Sequence, residues 1–401
     1  MSMNEETHST DDAGRTTIHL RTVCNIKSPA LRRKSAASLR LWNRRLRKRR
    51  QGVQAMNKLT LTASSMACAL RCPRRYYYDN ILGLKLAQPS EALRIGTAVH
   101  NGGEARAKGA DFAGQYAAAI TGAQLDEWMA AKVFGILGAY CKTYGEVEDR
   151  DYAAMNPEME FVNPIDGSRT FEQRGKVDGL AVLRDGRKVV WERKTTSDDL
   201  TDTSDYWQRL RFNHQLLAYA DWVYRSSGQL GVCVYDVIRK PALQPKANIP
   251  DLDADGLPIV LDANGNRCIK RDGTPKKTAD GAKGEKLAGH AETPDEYGQR
   301  ILESMTAEAD RYFARREVEI TFDMLDEFRR ERLGVCRMLL HFAAEARRAA
   351  QPEHAYPRSC NPDNCRSCPF AGFCLNRLHV DATNPPEGFY VAHHEELGGA
   401  K

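Results

Sequence analysis

What the chain lacks narrows its roles first. Nowhere in its 401 residues is there a run approaching the roughly 18 consecutive apolar residues of a membrane span, so no transmembrane helix is expected. No apolar core follows the first methionine, and Glu5, Glu6, Asp11 and Asp12 crowd the opening dozen residues, which argues against a secretory or transit peptide. A G-x-x-x-x-G-K-[ST] loop is missing, so no built-in P-loop motor is expected. Aromatic residues are only 8%, against 42% hydrophobic and 28% charged, proportions that exclude collagen-like, mucin-like and wholly disordered chains.

Negative charge is also absent from one stretch. Between Arg21 and Arg50 there are twelve Lys and Arg and no acidic residue. The first 50 residues carry 13 basic and 4 acidic residues, so +9 of the formal +6 belongs to them and residues 51–401 sum to −3. Residues 1–55 read as a disordered basic tail, and Met56, where periodic sequence begins, is a candidate translational start.

Helical spacing of apolar residues predicts helices over 61–75, with Thr62 or Ser64 as cap, and over 90–108, 122–143, 205–224, 295–312 and 323–350. Residues 171–196 alternate as two strands of a hairpin around Asp185-Gly186, and 231–238 form a short apolar strand. Residues 241–298, rich in Pro, Gly, Asp and Lys, read as an insertion. No internal repeat is evident. The folded domain is expected over 56–380, with a C-terminal tail at 381–401.

On the hairpin, Asp178 lies in the first strand, and Glu192 and Lys194, two apart, share one face of the second. Two carboxylates and an ammonium on one sheet face suit a divalent cation, since burying them otherwise is costly. Phosphodiester hydrolysis needs that set: hard oxygen ligands for Mg²⁺ or Mn²⁺ and a lysine to orient water. An isolated D…E-x-K string is nonetheless short and common, and by itself reads first as a charged surface hairpin.

The surrounding motifs add a resemblance. G-K-V-D-G, a hairpin and E-R-K-T-T resemble the core of the PD-(D/E)XK nuclease superfamily, most like its RecB/AddB-type exonucleases and CRISPR-associated iron–sulfur nucleases. RIGTAVH at 94–100 is similar to the family's first motif, which implies His100 as a metal ligand beside Asp178 and Glu192. HQLLAYA at 214–220 is similar to its Q-x3-Y motif, which implies that Gln215 and Tyr219 contact substrate or the catalytic lysine. One departure stands out: the middle residue of E-x-K, usually apolar in the family, is Arg193, expected on the opposite sheet face. Glu158 and Glu160 are weaker candidates for an accessory carboxylate. The implied fold is α/β, a restriction-endonuclease-like core with a central mixed sheet flanked by helices.

Cys365, Cys368 and Cys374 form C-x2-C-x5-C, tight enough for one metal centre but one thiolate short of four. The resemblance supplies the fourth: CPRRYYYD at 72–79 is similar to the family's lone cysteine setting, which implies that Cys72 completes a [4Fe–4S] site joining the N- and C-terminal segments. A four-cysteine zinc staple has the same ligand count, and Cys68 and Cys360 are alternative ligands. Arg74, Arg75, Tyr76, Tyr77 and Tyr78 interleave charge and rings as a single-strand-binding surface would.

These readings together imply a metal-dependent DNA exonuclease acting on single strands or ends in recombination, repair or phage replication. A helicase or recombination protein is the expected partner, and the cytoplasm of a bacterium or phage-infected host the expected location. A non-catalytic iron–sulfur DNA-binding scaffold and an endonuclease of the same superfamily are the alternatives.

Overall fold

The computed structural model describes residues 58–359 and 361–392, together with a short backbone pairing of Thr7–Thr10 with Thr16–His19. The basic arm at 21–55 and Cys360 lie outside the described residues. Six strands form one mixed sheet: β1 Leu59–Leu61, β2 Tyr152–Pro164, β3 Phe171–Leu183, β4 Lys188–Thr196, β5 Val232–Arg239 and β6 Phe313–Val318. Their order is β6-β5-β4-β3, with β2 along one edge of β3. The other edge of β3 is shared: β4 pairs antiparallel with residues 179–182, and β1 pairs parallel with residues 171–173. Between those two segments, residues 174–178 have no partner on that edge.

Helices cover both faces. On one lie α2 Glu91–Ala107, α3 Phe112–Ile120, α4 Glu127–Tyr144 and α6 Pro294–Ala307, around Ile95, Val99, Ile136 and Ile301. On the other lie α1 Ala63–Arg71, α5 His214–Ser227 and α7 Phe322–Ala346, around Met66, Leu216, Leu325 and Phe328. Local chemistry sets their starts. Thr62, Ser90, Asp126 and Thr293 each accept a first-turn amide as N-caps. The hairpin turns through Gly186 at φ +93°, a conformation that favours glycine.

Several elements differ from expectation. The helix expected over 61–75 stops at Arg71, because Cys72 is extended ahead of Pro73, whose ring disfavours helical geometry in the preceding residue. The helix expected from 122 starts at Glu127, and a separate helix, α3, precedes it behind an Asp111 cap. The helix expected over 205–224 breaks at Asn213, whose side chain caps α5. Strand β6 was not anticipated, since FARREV lacks the apolar alternation of a strand. Phe389–Val391 pairs with Leu84–Leu86, so part of the expected C-terminal tail belongs to the fold.

Beneath the sheet lies a buried charge network. Arg193 Nε bonds Asp236 Oδ2 at 3.2 Å, and its Nη2 bonds the Tyr140 hydroxyl at 3.2 Å. Arg315 bonds Asp236 (3.1 Å), Asp149 (2.8 Å) and Asp151 (2.7 Å), and Arg106 bonds Asp149 (2.7 Å). Burial alone would raise the Asp236 carboxyl, but Arg315 and Arg193 outweigh it and hold it down at about 2. Removing one member of such a set strands buried charge. Asp236→Ala should therefore cost about 3–5 kcal/mol in urea denaturation. Arg187→Ala, which breaks the exposed pair with Glu317, should cost under about 1 kcal/mol.

Candidate active site

The site forms where β3 and β4 part. Their last paired residues are Gly179 and Trp191. Beyond them the Asp178 carboxylate takes the place of a ladder carbonyl, accepting the Arg193 backbone N–H at 2.7 Å. Asp178 is thereby fixed at the fork while 30% of its side-chain surface stays open to solvent. On β4, Glu192 and Lys194 point to one face, and Arg193 and Thr195 to the other.

Helix α2 brings His100 to this fork. Gly96 and Gly103 lie on the same helical face as His100, four residues before it and three after. A Cβ on Gly103 would fall 1.4 Å from the Arg193 guanidinium, and one on Gly96 would fall 3.1 Å from Thr195 Oγ1. Glycine at these two positions lets the helix lie directly on β4. His100 Nδ1 comes within 3.6 Å of Asp178 Oδ2. Burial works against it, yet His100, Lys194 and the Arg193 amide together keep the Asp178 carboxyl below its ordinary range.

Glu192 is fully buried, and Lys194 Nζ lies 2.5 Å from its Oε1. Neither Glu192 oxygen has a directed hydrogen bond among the described residues. Burial, and then the charge of Asp178, push its carboxyl up to about 8, with Lys194 pulling the other way. Glu192 lies near Asp178, and Asp178 near His100; these are residue types a divalent cation takes, but they are not gathered around one point. Among the described residues, no three His, Cys, Asp or Glu side chains come close enough together to hold one ion.

Gln215 and Tyr219 lie together behind the fork. Gln215 Nε2 donates to the Tyr219 hydroxyl at 2.5 Å, and that hydroxyl donates to the Lys176 carbonyl at 2.7 Å. Tyr219 is only 2% exposed; it anchors β3 two residues before Asp178, and its hydroxyl lies near the buried Glu192 carboxyl. Glu158 lies across from Asp178, because Pro157 pairs with Gly179 and Met159 with Val177. It adopts φ +45° and ion-pairs with Lys176. Such backbone strain costs about 1–3 kcal/mol and gathers at functional sites. Glu160 is exposed.

Separately, Cys72, Cys365, Cys368 and Cys374 line one cavity, with Arg71, Arg74, Arg75 and Arg358 around it. None is in a disulfide, and Cys68 does not line the cavity. Burial raises the Cys368 and Cys374 thiols, partly opposed by Arg75 and by Arg74 respectively. The four thiols share this cavity with the guanidiniums, but as placed no three of them come close enough together to hold one ion. The three neighbouring tyrosines do not form a base-stacking surface. Tyr76, Tyr77 and Tyr78 are 5%, 6% and 2% exposed, Tyr77 packing on Tyr356 and Tyr78 on Phe370 and Phe373. Arg74 is buried too, its Nε bonded to the Tyr356 carbonyl at 2.8 Å.

With that geometry in hand, a family model described as PD-(D/E)XK nuclease superfamily matches residues 60–375. The chain belongs to this superfamily. No curated protein matches it. A solved structure titled "Crystal structure of SSO0001" aligns over 69% of this chain and 87% of its own, at 13% identity and a TM-score of 0.23, a likeness that carries no argument. Within the superfamily domain, sequence reading missed the residues beneath the site, Tyr140, Asp236 and Arg315. A lone acid inside the apolar strand 232–239 was the available signal for Asp236.

The Glu192 shift has a thermodynamic consequence. Between pH 4.5 and 8 the unfolded chain ionises this carboxyl while the folded one keeps its proton. Metal-free protein should therefore lose about 1.4 kcal/mol of stability per pH unit as pH rises through that window. Thermal melts in chelating buffer should show this slope in the wild type and its loss in Glu192→Gln. Added Mn²⁺ should restore wild-type stability near pH 8.

Proposed function

We propose that this superfamily member is a Mg²⁺- or Mn²⁺-dependent deoxyribonuclease acting as an exonuclease on single strands or DNA ends. The observation that carries this reading is the forked strand pair, which sets Asp178, with His100 beside it, next to the buried, under-satisfied Glu192 and its Lys194 partner. In this reading His100, Asp178 and Glu192 hold the cation, and Lys194 orients the attacking water and meets the charge developing on the phosphate. The bound cation would polarise the phosphodiester and make water a better nucleophile at neutral pH. Gln215 and Tyr219 act one step back, holding β3 and with it Asp178. Glu158, across the ladder from Asp178, is the accessory carboxylate.

The exonuclease mode rests on the order of the four motifs and on the slightly acidic −3 of residues 51–401, which does not suit a broad duplex-binding surface. With no P-loop in the sequence, unwinding would fall to a helicase or recombination partner in the cytoplasm. The cysteine cavity supports a [4Fe–4S] cluster on Cys72, Cys365, Cys368 and Cys374. Its role would be structural, clamping the segment after α1 to the C-terminal segment across nearly 300 residues of chain.

Lys194→Ala should lower cleavage of end-labelled single strands by about 100-fold or more while leaving their binding intact. Wild-type protein should shorten linear DNA from its ends and leave closed circles whole; cut circles would favour the endonuclease reading. Protein purified anaerobically should be brown and contain iron. Cys374→Ser should lose both and unfold at lower temperature, whereas a colourless, iron-free, well-folded wild type would remove the cluster.

A further inference from the structure

Residues 241–293 leave the domain between β5 and α6 and build a small module that the site does not use. Three tight hairpins follow one another, turning through Gly256, Gly265 and Gly273 at φ +73°, +84° and +82°. Asp253 Oδ1 accepts the amides of Asp255 and Leu257 at 3.0 and 2.8 Å, and Asp262 Oδ1 those of Asn264 and Asn266 at 2.9 and 2.8 Å. In the third turn Asp272 Oδ1 accepts Thr274 N at 3.0 Å. The hairpins are stitched in series, Ile259 N to Asp251 O, Cys268 N to Val260 O and Lys276 N to Cys268 O, at 2.9, 2.7 and 3.0 Å. This structural repeat is absent from the apolar pattern because the turns, not a core, define it.

The register shows which end is outermost. Ile249–Pro250 pairs with Gly289–His290 at the root, and Val260–Leu261 with Lys286–Leu287 further out, so residues 262–285 form the tip. Charge follows the same axis. Residues 251–265 carry four acidic and no basic residues, whereas 267–286 carry seven basic against three acidic. The tip as the register bounds it, 262–285, carries six basic and four acidic residues, a net +2, in a body whose remainder, within 51–401, sums to −5. Lys276 and Lys283 are neutralised by Glu285 and Asp280, and Arg267 by Asp253. Lys270, Arg271, Lys277 and Lys286 are exposed and make no ion pair among the described residues.

The chain leaves the sheet for the module at the C-terminal ends of β4 and β5. Lys240 N donates to Thr196 O at 2.7 Å, and Thr196 is four residues beyond Glu192 on β4, about 13 Å along the strand. Spaced, unpaired cations on a hydrogen-bonded frame suit the phosphates of a flexible nucleic-acid strand, which recur along the chain and need no apolar pocket.

We propose that this basic tip is a docking surface for the phosphodiester backbone of the substrate strand, outside the catalytic fork, where it raises affinity without taking part in bond cleavage. The inference rests on the nuclease reading above. Its test is the variant Lys270→Glu, Arg271→Glu, Lys277→Glu, Lys286→Glu in the full chain, measured for binding of end-labelled oligo(dT) in chelating buffer over a series of salt concentrations. Each lost phosphate contact removes about 0.7 from the slope of log K against log salt. The variant should bind about tenfold or more weakly at low salt, with a slope shallower by about 2–3. Its melting temperature, and its kcat with Mn²⁺ at saturating DNA, should match wild type. Unchanged affinity and slope in the variant, with wild-type cleavage intact, would overturn the docking surface and leave the nuclease reading standing. A wild type that neither binds nor cuts DNA would overturn the nuclease reading and this inference with it.

Discussion

The molecule is organised around the point where β3 and β4 stop pairing. A strand pair that continued past Gly179 and Trp191 would satisfy its backbone with carbonyls and leave Asp178 as one surface carboxylate among many. Here the Asp178 side chain takes the Arg193 amide. One hydrogen bond thus ends the ladder, satisfies a donor that would otherwise be orphaned, and fixes a carboxylate at the fork. Glu192, one residue further along β4 than Trp191, is buried beside it and paired with Lys194.

Holding that fork open requires firm support on both faces. On the α2 side, Arg193 reaches from β4 to Asp236 on β5 and to Tyr140 on α4, while Gly103 of α2 rests on its guanidinium. Arg193, between Glu192 and Lys194, therefore ties together β4, β5 and α4 around the fork. On the opposite side, Asp221 on α5 takes Arg225, Arg329 and Arg332, and Arg332 also bonds Gln173 on β3. Buried charge of this kind is poor value as stabilisation, because desolvation offsets most of the attraction. What it does is penalise any other register or helix placement, since a one-residue slip would leave several ions unpaired.

The two candidate centres lie on different parts of the frame and depend on it differently. The fork uses side chains carried by the sheet and by α2, whose position is set by close glycine contact. The cysteine cavity joins Cys72, held extended by the proline after it, to a segment nearly 300 residues later, beside a cluster of buried tyrosines and phenylalanines. Of the three tyrosines that in one dimension looked like a nucleic-acid surface, Tyr78 lines the cavity with Phe370, and Tyr76 and Tyr77 are buried in the core.

Local sequence determined what depends on near neighbours: the caps Thr62 and Ser90, the Asp185-Gly186 turn, the shared face of Glu192 and Lys194, and the C-x2-C-x5-C spacing. It also determined the charge split between the first 50 residues and the rest, since that is arithmetic on composition. Tertiary structure alone decided which polar residues are buried. Arg193, Asp236 and Arg315 are 43 and 79 residues apart in sequence yet form one ion network, so no local pattern marks them. The same holds for Tyr76, Tyr77 and Tyr78, whose alternation with arginine carries no information on what packs over them. Strand β6 belongs to this second group as well: FARREV is a strand because β5 offers it an edge and Asp236 offers Arg315 a counterion, and neither is visible within six residues.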